Sequence, residues 1–261
     1  MSFPDFRTRR LGLTAAAAAI AFAVAGTATA QSMVVRSTGP SASKYPTGAK
    51  LKASDKLTLV AGDKIVLMQG GKTRTLSGPG TYGASGPIQS NQTIGSAVTR
   101  MLASGPSMRS RGGFSRGPDE PKPAELRAPN LWFIDYREAG TFCVADPATL
   151  MLWRPYMDTD ELLKIEQDGK TQTVAFVVGA NFRKWPSDAM PVKYDVDYRL
   201  SGGGLSAPVT IRFKPMGEVP ATPDSSADAL LAKRCTPQLN CLVDTMPEAE
   251  ASGGRTHGRQ A

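Results

Sequence analysis

Residues 162–178 read LLKIEQDGKTQTVAFVV, and the central pair, Asp168-Gly169, is the clearest turn signal in the chain. Apolar segments of strand length, 162–166 and 171–178, lie on either side of this pair. An Asp-Gly pair in this position predicts a β-hairpin, because both residues tolerate the positive φ that a tight turn needs. The stretch therefore predicts β structure for this part of the chain.

Five further segments of strand length lie around this hairpin, with turn residues about every ten positions. They are residues 131–136, 141–145, 149–154, 194–200 and 209–213. In the segment from Tyr194 to Leu200, apolar side chains alternate with charged ones, which predicts one buried face and one wet face. Together the seven segments predict an immunoglobulin-like β-sandwich over residues 131–216, without the usual pair of inter-sheet cysteines.

Three tryptophans, Trp132, Trp153 and Trp185, lie in or beside these segments. Their large apolar area suits the space between two sheets. The functional alternative is a carbohydrate-stacking platform, as expected of a protein that binds glycans or peptidoglycan.

The first part of the exported chain also has an all-β pattern. Short segments, 33–36, 56–60, 65–68 and 73–76, are joined by glycine turns around Gly62 and Gly70-Gly71. We predict a small β-meander domain over residues 31–84. The Gly78-Pro79-Gly80 stretch lacks the spacing and the Lys-Ser/Thr ending of a phosphate-binding loop, so we interpret it as a rigid turn.

Residues 33–82 resemble the compact β domain of FecR-like periplasmic proteins. The similarity lies in the stretches 34–40, 57–63 and 73–81, with sequences VVRSTGP, LTLVAGD and TRTLSGPGT. The resemblance implies a small β domain and a periplasmic location. Its best-known members are membrane-anchored anti-sigma regulators, but only a few residues precede the apolar leader here, so the signalling role is not carried over.

The first thirty residues have the organisation of an export signal. Arg7, Arg9 and Arg10 precede an alanine-rich apolar run over residues 11–26, which is too short and too weakly apolar to favour a permanent membrane anchor. Small residues then predict cleavage between Ala30 and Gln31. A twin-arginine signal is the alternative to the general export route. Either route predicts a periplasmic protein.

Charge is distributed unevenly along a chain of net charge +8. Residues 31–84 hold eight Lys and Arg against Asp55 and Asp63, whereas residues 131–216 are close to neutral. A basic exported domain suits an anionic surface ligand or an acidic protein face and is compatible with peripheral membrane contact. The alternative is a solvated, solubilising surface. Export and the absence of a recognition motif argue against nucleic acid.

Residues 85–130 are rich in Gly, Pro, Ser and Arg, and we predict a flexible linker there, with one short helix over residues 94–102. Residues 217–246 predict two helices, one ending at Lys233 and one beginning at Thr236-Pro237. The final residues, 247–261, are predicted to be a disordered tail.

The chain has three cysteines, Cys143, Cys235 and Cys241. In an oxidising compartment we predict a disulfide between the closest two, Cys235 and Cys241, and a buried thiol at Cys143.

No pattern in the sequence predicts catalysis, a cofactor or a metal ion. The sole histidine, His257, lies in the predicted tail, so a cysteine nucleophile has no nearby base and His-based metal sites are excluded. Asp195 and Asp197 would share a strand face, but we interpret them as a solvated pair.

The sequence therefore favours an exported, non-enzymatic envelope protein that senses or scaffolds by binding a protein or an anionic surface ligand. The alternatives are a carbohydrate- or peptidoglycan-binding module and a hydrolase whose site is not recognisable.

Overall fold

The computed structural model describes residues 31–85, 101–102 and 126–249. Over these residues the chain is mostly β-strand, with two helices at the C-terminal end, so the predicted all-β class with a helical C-terminal segment is confirmed. The export signal, nearly all of the predicted linker and residues 250–261 of the predicted tail lie outside the described residues. The start of the tail, residues 247–249, is not disordered as predicted, because it pairs with Thr73. Met101 and Leu102, from the helix predicted in the linker, are helical.

The first unit contains β1 (Ser32–Thr38), β2 (Lys50–Leu51), β3 (Lys56–Leu59), β4 (Lys64–Gln69), β5 (Lys72–Ser77) and β6 (Gly80–Gly83). The second unit contains β7 (Phe133–Asp135), β8 (Gly140–Val144), β9 (Met151–Trp153), β10 (Glu161–Gln167), β11 (Lys170–Phe176), β12 (Phe182–Lys184), β13 (Asp197–Gly202) and β14 (Val209–Pro215). The helices are α1 (Pro223–Lys233) and α2 (Thr236–Thr245).

The first unit is two small sheets rather than the predicted meander. One sheet has the order β2-β1-β4-β5, and β3 pairs with β6 in the other. The turn around Gly62 therefore leads from one sheet to the other. Asp63 fixes this turn, since its carboxylate accepts the backbone N–H groups of Ser41 (2.8 Å) and Val60 (2.7 Å). Burial opposes ionisation of Asp63, but these hydrogen bonds outweigh it and lower its pKa.

Strands β1 and β4 are covered on both faces. Val34, Ile65 and Leu67 face the core between the two small sheets. Val35, Val66 and Met68 face a second core, which they share with the helices. The unbroken apolar run Ile65-Val66-Leu67-Met68 is typical of such a doubly covered strand.

The second unit consists of two sheets around one core, as expected of a β-sandwich. The larger sheet has the order β11-β10-β13-β14-β8 and the smaller has β12-β9-β7. Side chains from both sheets form this core, including Phe142, Leu152 and Ile165. All seven predicted strands are present with shifted ends, and the alternating segment is strand only from Asp197 onward. Strand β12 was not predicted, because Phe-Arg-Lys carries no alternation to mark it.

Only Trp185 occupies the predicted position between the sheets. Its ring makes edge-on contacts with Tyr198 (centroids 5.2 Å apart) and Phe213 (5.1 Å). Trp132 and Trp153 lie instead in the core shared with the helices. The prediction for these two was wrong: Trp153 lies on the face of β9 opposite to Leu152, and Trp132 lies in the turn before β7, outside the sandwich core.

Helices α1 and α2 join the two β units through that shared core. Thr222 caps α1 through a reciprocal bond with Ser225, and Leu230 and Leu242 are fully buried. Residues from β1, β4, β8 and β9 complete the same cluster, so the C-terminal segment is a structural centre of the molecule. No helix among the described residues is long and apolar enough to cross a membrane.

The disulfide links Cys143 to Cys235, across a sequence separation of 92 residues. The predicted Cys235–Cys241 bridge is therefore wrong, and Cys241 is a buried free thiol. The reason is helical geometry: six residues along α2 rise about 9 Å, beyond the Cα separation that a disulfide spans. The Cα atoms of Cys143 and Cys235 are 5.7 Å apart. A bond of this kind is typical of proteins in oxidising, exported locations.

Candidate binding surface

Some of the basic side chains of the first unit form ion pairs with acidic side chains of the two helices. Arg36 of β1 pairs with Asp244 of α2 at 2.9 Å, and Lys50 of β2 pairs with Asp228 of α1 at 3.1 Å. These contacts bring a basic sheet against acidic helices. Because the pairs are partly exposed, they orient the units more than they stabilise them.

The residues considered for sugar or metal binding do not converge. Trp132, Trp153 and Trp185 are 6%, 4% and 1% exposed, so none can present its ring to a glycan. Asp197 pairs with Arg212 at 2.7 Å on the outer face of the sandwich. Among the described residues, no three His, Cys, Asp or Glu side chains are grouped for a metal ion. His257 lies outside the described residues, as does Ala30, and Gln31 is exposed beside the predicted cleavage point.

Ionisable groups do meet beside α2, in a shallow depression of about 250 Å³ including its open mouth. Its lining includes Arg127, Asp135, Glu138 and Cys241. Each charged group already has a partner: Arg127 bridges Glu138 and Asp244, and Asp135 pairs with Arg137 at 2.6 Å. These charges therefore neutralise one another.

Burial disfavours the thiolate form of the cysteine in this depression. Burial raises the pKa of Cys241 to about 12, so the nucleophilic thiolate is scarce near neutral pH. Burial also raises the pKa of Glu138, against the opposing effect of Arg127. These features describe a structural junction between the sandwich and α2.

A different surface lies at the other side of the sandwich, where β9 and β11 end. Tyr156 (48% exposed), Met157 (43%), Val177 (50%) and Val178 (59%) present large apolar side chains to solvent there. The N–H of Gly179 donates to the carbonyl of Met157 at 2.7 Å, which ties the two loops together. We call the surface formed by these four side chains the apolar loop surface.

Arg154 holds both loops from beneath. Its side chain is buried and donates to the carbonyl oxygens of Thr159 (2.8 Å), Ala180 (3.0 Å) and Val177 (3.1 Å). Its guanidinium also lies 5.1 Å from the ring centroid of Phe176. None of the ion pairs among the described residues involves Arg154, so its buried donors serve the loop backbone. The loops are thus fixed with their apolar side chains outward.

Acidic side chains border the apolar loop surface. Asp158, Asp160 and Glu161 follow Met157 directly, and no ion pair within the described ranges neutralises them. Asp160 also accepts the N–H of Val178 at 2.7 Å. The border is therefore negative, in contrast to the net positive charge of the chain.

Sequence reasoning passed over this surface although a signal was present. Residues 174–178, Val-Ala-Phe-Val-Val, are apolar at successive positions, as in the doubly covered β4. In β4 the helices cover the second face, whereas Val177 and Val178 are left exposed. An apolar run with a missing cover marks an interaction surface more specifically than a scattered apolar residue does.

Comparison with protein-family models, curated proteins and solved structures finds no match to this chain. The resemblance of residues 33–82 to FecR-like domains therefore stays a prediction. Function has to be inferred from the residues of the molecule itself.

Proposed function

We propose that this protein is a non-enzymatic scaffolding or sensing protein of the periplasm, and that the apolar loop surface docks a protein partner. The disulfide supports an oxidising location, and the sequence of residues 1–30 supports export with cleavage after Ala30. We also propose that the first unit is FecR-like and that the sandwich is immunoglobulin-like. The two facing sheets support the second of these assignments.

One observation carries the proposal: large apolar side chains are held in solvent on loops that a buried arginine fixes. Exposing Tyr156, Met157, Val177 and Val178 has a free-energy cost that burial against a partner would recover. Because Arg154 holds the loop backbone, little conformational entropy is lost when a partner binds.

The border charges define the chemistry of that partner. Asp158, Asp160 and Glu161 repel phospholipid, lipopolysaccharide and acidic glycan, so an anionic ligand does not suit this surface. A protein segment with apolar side chains and a neighbouring Lys or Arg does suit it. The partner we propose is therefore a protein with an apolar, basic face.

Site-specific photocrosslinking in intact envelopes tests this function. A photoreactive phenylalanine analogue at Met157 should give one discrete crosslinked protein. The same analogue at Ala148, an exposed position between β8 and β9, should not. Equal crosslinking at both positions, or none at Met157, would contradict the proposal.

Matched substitutions then test the chemistry. The double variant Val177→Ser, Val178→Ser should reduce the crosslink at Met157 at least tenfold, whereas Val60→Ser, which changes a comparably exposed valine of the first unit, should leave it unchanged. Asp158→Lys should weaken the crosslink several-fold, and Asp188→Lys, on a different loop, should not. Stronger crosslinking with Asp158→Lys would instead indicate an acidic partner.

A further inference from the structure

We propose that two copies of this chain associate through strand β11, in antiparallel orientation, so that their five-stranded sheets form one continuous sheet of ten strands. The strand edge is distinct from the apolar loop surface, so the proposal is independent of the partner proposed above. It rests on a comparison of β11 with the other edge strands, which are short or covered.

The other long edge strands are covered within the described part of the chain. The edge of β5 is paired at Thr73, which donates to the carbonyl of Pro247 (3.0 Å) and accepts from the N–H of Ala249 (2.6 Å). The edge of β8 is paired at Cys143 by the side-chain amide of Gln238. Strands β2, β7 and β12 are edges of only two or three residues, and β3 and β6, which pair only with each other, have four residues each. Short or covered edges are the usual protection against pairing with another chain.

Strand β11 has seven residues and lies at the edge opposite β8. Its hairpin to β10 has positive φ at both Asp168 and Gly169, which identifies a two-residue turn closed by the hydrogen-bonded pair Gln167 and Lys170. Pairs alternate along an antiparallel ladder, so the backbone groups of Thr171, Thr173 and Ala175 point away from β10. The Arg183 side chain confirms this parity, since it donates to the outward carbonyl of Ala175 at 2.8 Å.

Thr171 and Thr173 therefore present free N–H and C=O groups at the edge. Neither residue has a backbone or side-chain partner beyond the β10 ladder among the described residues. Protection of this edge is limited: the β10–β11 register is regular, residues 171–182 contain no charge and no proline, and the one charged residue of the strand, Lys170, lies at its first position. Arg183, which follows residues 171–182, covers the edge only at the carbonyl of Ala175.

The same constraint selects one register. Since the carbonyl of Ala175 is occupied, Thr171 and Thr173 are the residues with both groups available. Pairing Thr171 of each copy with Thr173 of the other uses all of these groups in four hydrogen bonds. Gln172 then lies opposite its counterpart on the two-fold axis, and Lys170 lies opposite Val174, so no like charges face each other.

Cysteine crosslinking tests the strand and its register together. In this arrangement the two Gln172 Cα atoms form a non-hydrogen-bonded pair about 4.5 Å apart, within the range of a disulfide. Gln172→Cys should therefore become a disulfide-linked dimer under mild oxidation, seen on a non-reducing gel. Lys170→Cys is the matched control, because its Cα atoms would be about 14 Å apart. Dimerisation of Lys170→Cys and not of Gln172→Cys would overturn the proposed register.

Sedimentation of the disulfide-intact protein gives a second measurement that needs no cysteine substitution. The unsubstituted chain should show a concentration-dependent dimer, and Thr173→Pro should weaken it at least tenfold. Proline is suitable at this position because the N–H of Thr173 points away from β10, so the β10–β11 ladder stays intact. A chain that stays monomeric and shows no Gln172→Cys crosslink would overturn the proposal, even if the photocrosslink at Met157 is observed.

Discussion

At one edge of the five-stranded sheet, helix α2 covers β8, while at the other edge Arg183 is the one described residue that donates to an outward backbone group of β11. Gln238 of α2 accepts the N–H of Cys143 at 2.6 Å and donates to the carbonyls of Cys143 (2.8 Å) and Leu131 (3.0 Å). The disulfide adds a covalent link at the same residue of β8. In one sheet, the β8 edge is therefore bonded to α2, and the β11 edge is the one for which we propose pairing with a second copy.

Removing the disulfide is expected to have the largest effect on the covered edge. Closing a loop of this length raises the free energy of the unfolded chain by about 4.6 kcal/mol, because it lowers the entropy of that chain. The variant Cys143→Ser, Cys235→Ser should lose stability of that order in denaturant unfolding. Cys241→Ser, which keeps the disulfide, should lose less. Equal losses in the two variants would contradict a dominant role for the Cys143–Cys235 link.

Gln238→Leu tests the edge pairing itself. The substitution leaves the buried N–H and C=O of Cys143 and the carbonyl of Leu131 without a partner, which should cost about 3 kcal/mol. Gln172→Leu, at the free edge, should cost under about 0.5 kcal/mol because it is partly exposed. If both variants lose the same stability, the two edges do not differ as described.

Arg154→Met addresses the loops at the end of β11. It removes the donors to Thr159, Ala180 and Val177, and we expect a loss of about 2 kcal/mol together with faster amide exchange in residues 177–181. Arg183→Met is the control, since that side chain is partly exposed and donates to two carbonyls, those of Ala175 and Phe182, outside residues 177–181. Unchanged exchange in Arg154→Met would show that the loops are held by other contacts.

The smallest expected effect is a pH dependence at the covered edge. Because burial raises the pKa of Glu138 above the ordinary 4.5, the folded state holds this proton more tightly than the unfolded chain does. Its contribution to stability should therefore fall as the pH rises from 4.5 through the raised pKa. Relative to Glu138→Gln, the unsubstituted protein should gain stability on acidification, measured by unfolding at several pH values. A gain on alkalinisation would contradict the sign.

The sequence predicted local structure well where neighbouring residues decide it. The Asp168-Gly169 turn, the alternation from Asp197 to Leu200 and the two helices depend on φ preferences, strand parity and capping, which act over a few positions. The strand positions of the second unit followed for the same reason. The candidate surface was missed because Val177 and Val178 resemble core residues until their neighbours in space are known.

What the sequence by itself determined is the β class, the run of strands and the helical C-terminal segment, since these follow from local periodicity. Tertiary structure alone decided that Cys143 pairs with Cys235, that Trp132 and Trp153 pack against the helices, and that β11 is an edge strand of its sheet. Each of these depends on which distant segments meet. The free energy gained when an apolar side chain is buried is similar for any apolar neighbour, so the sequence alone does not specify the neighbour.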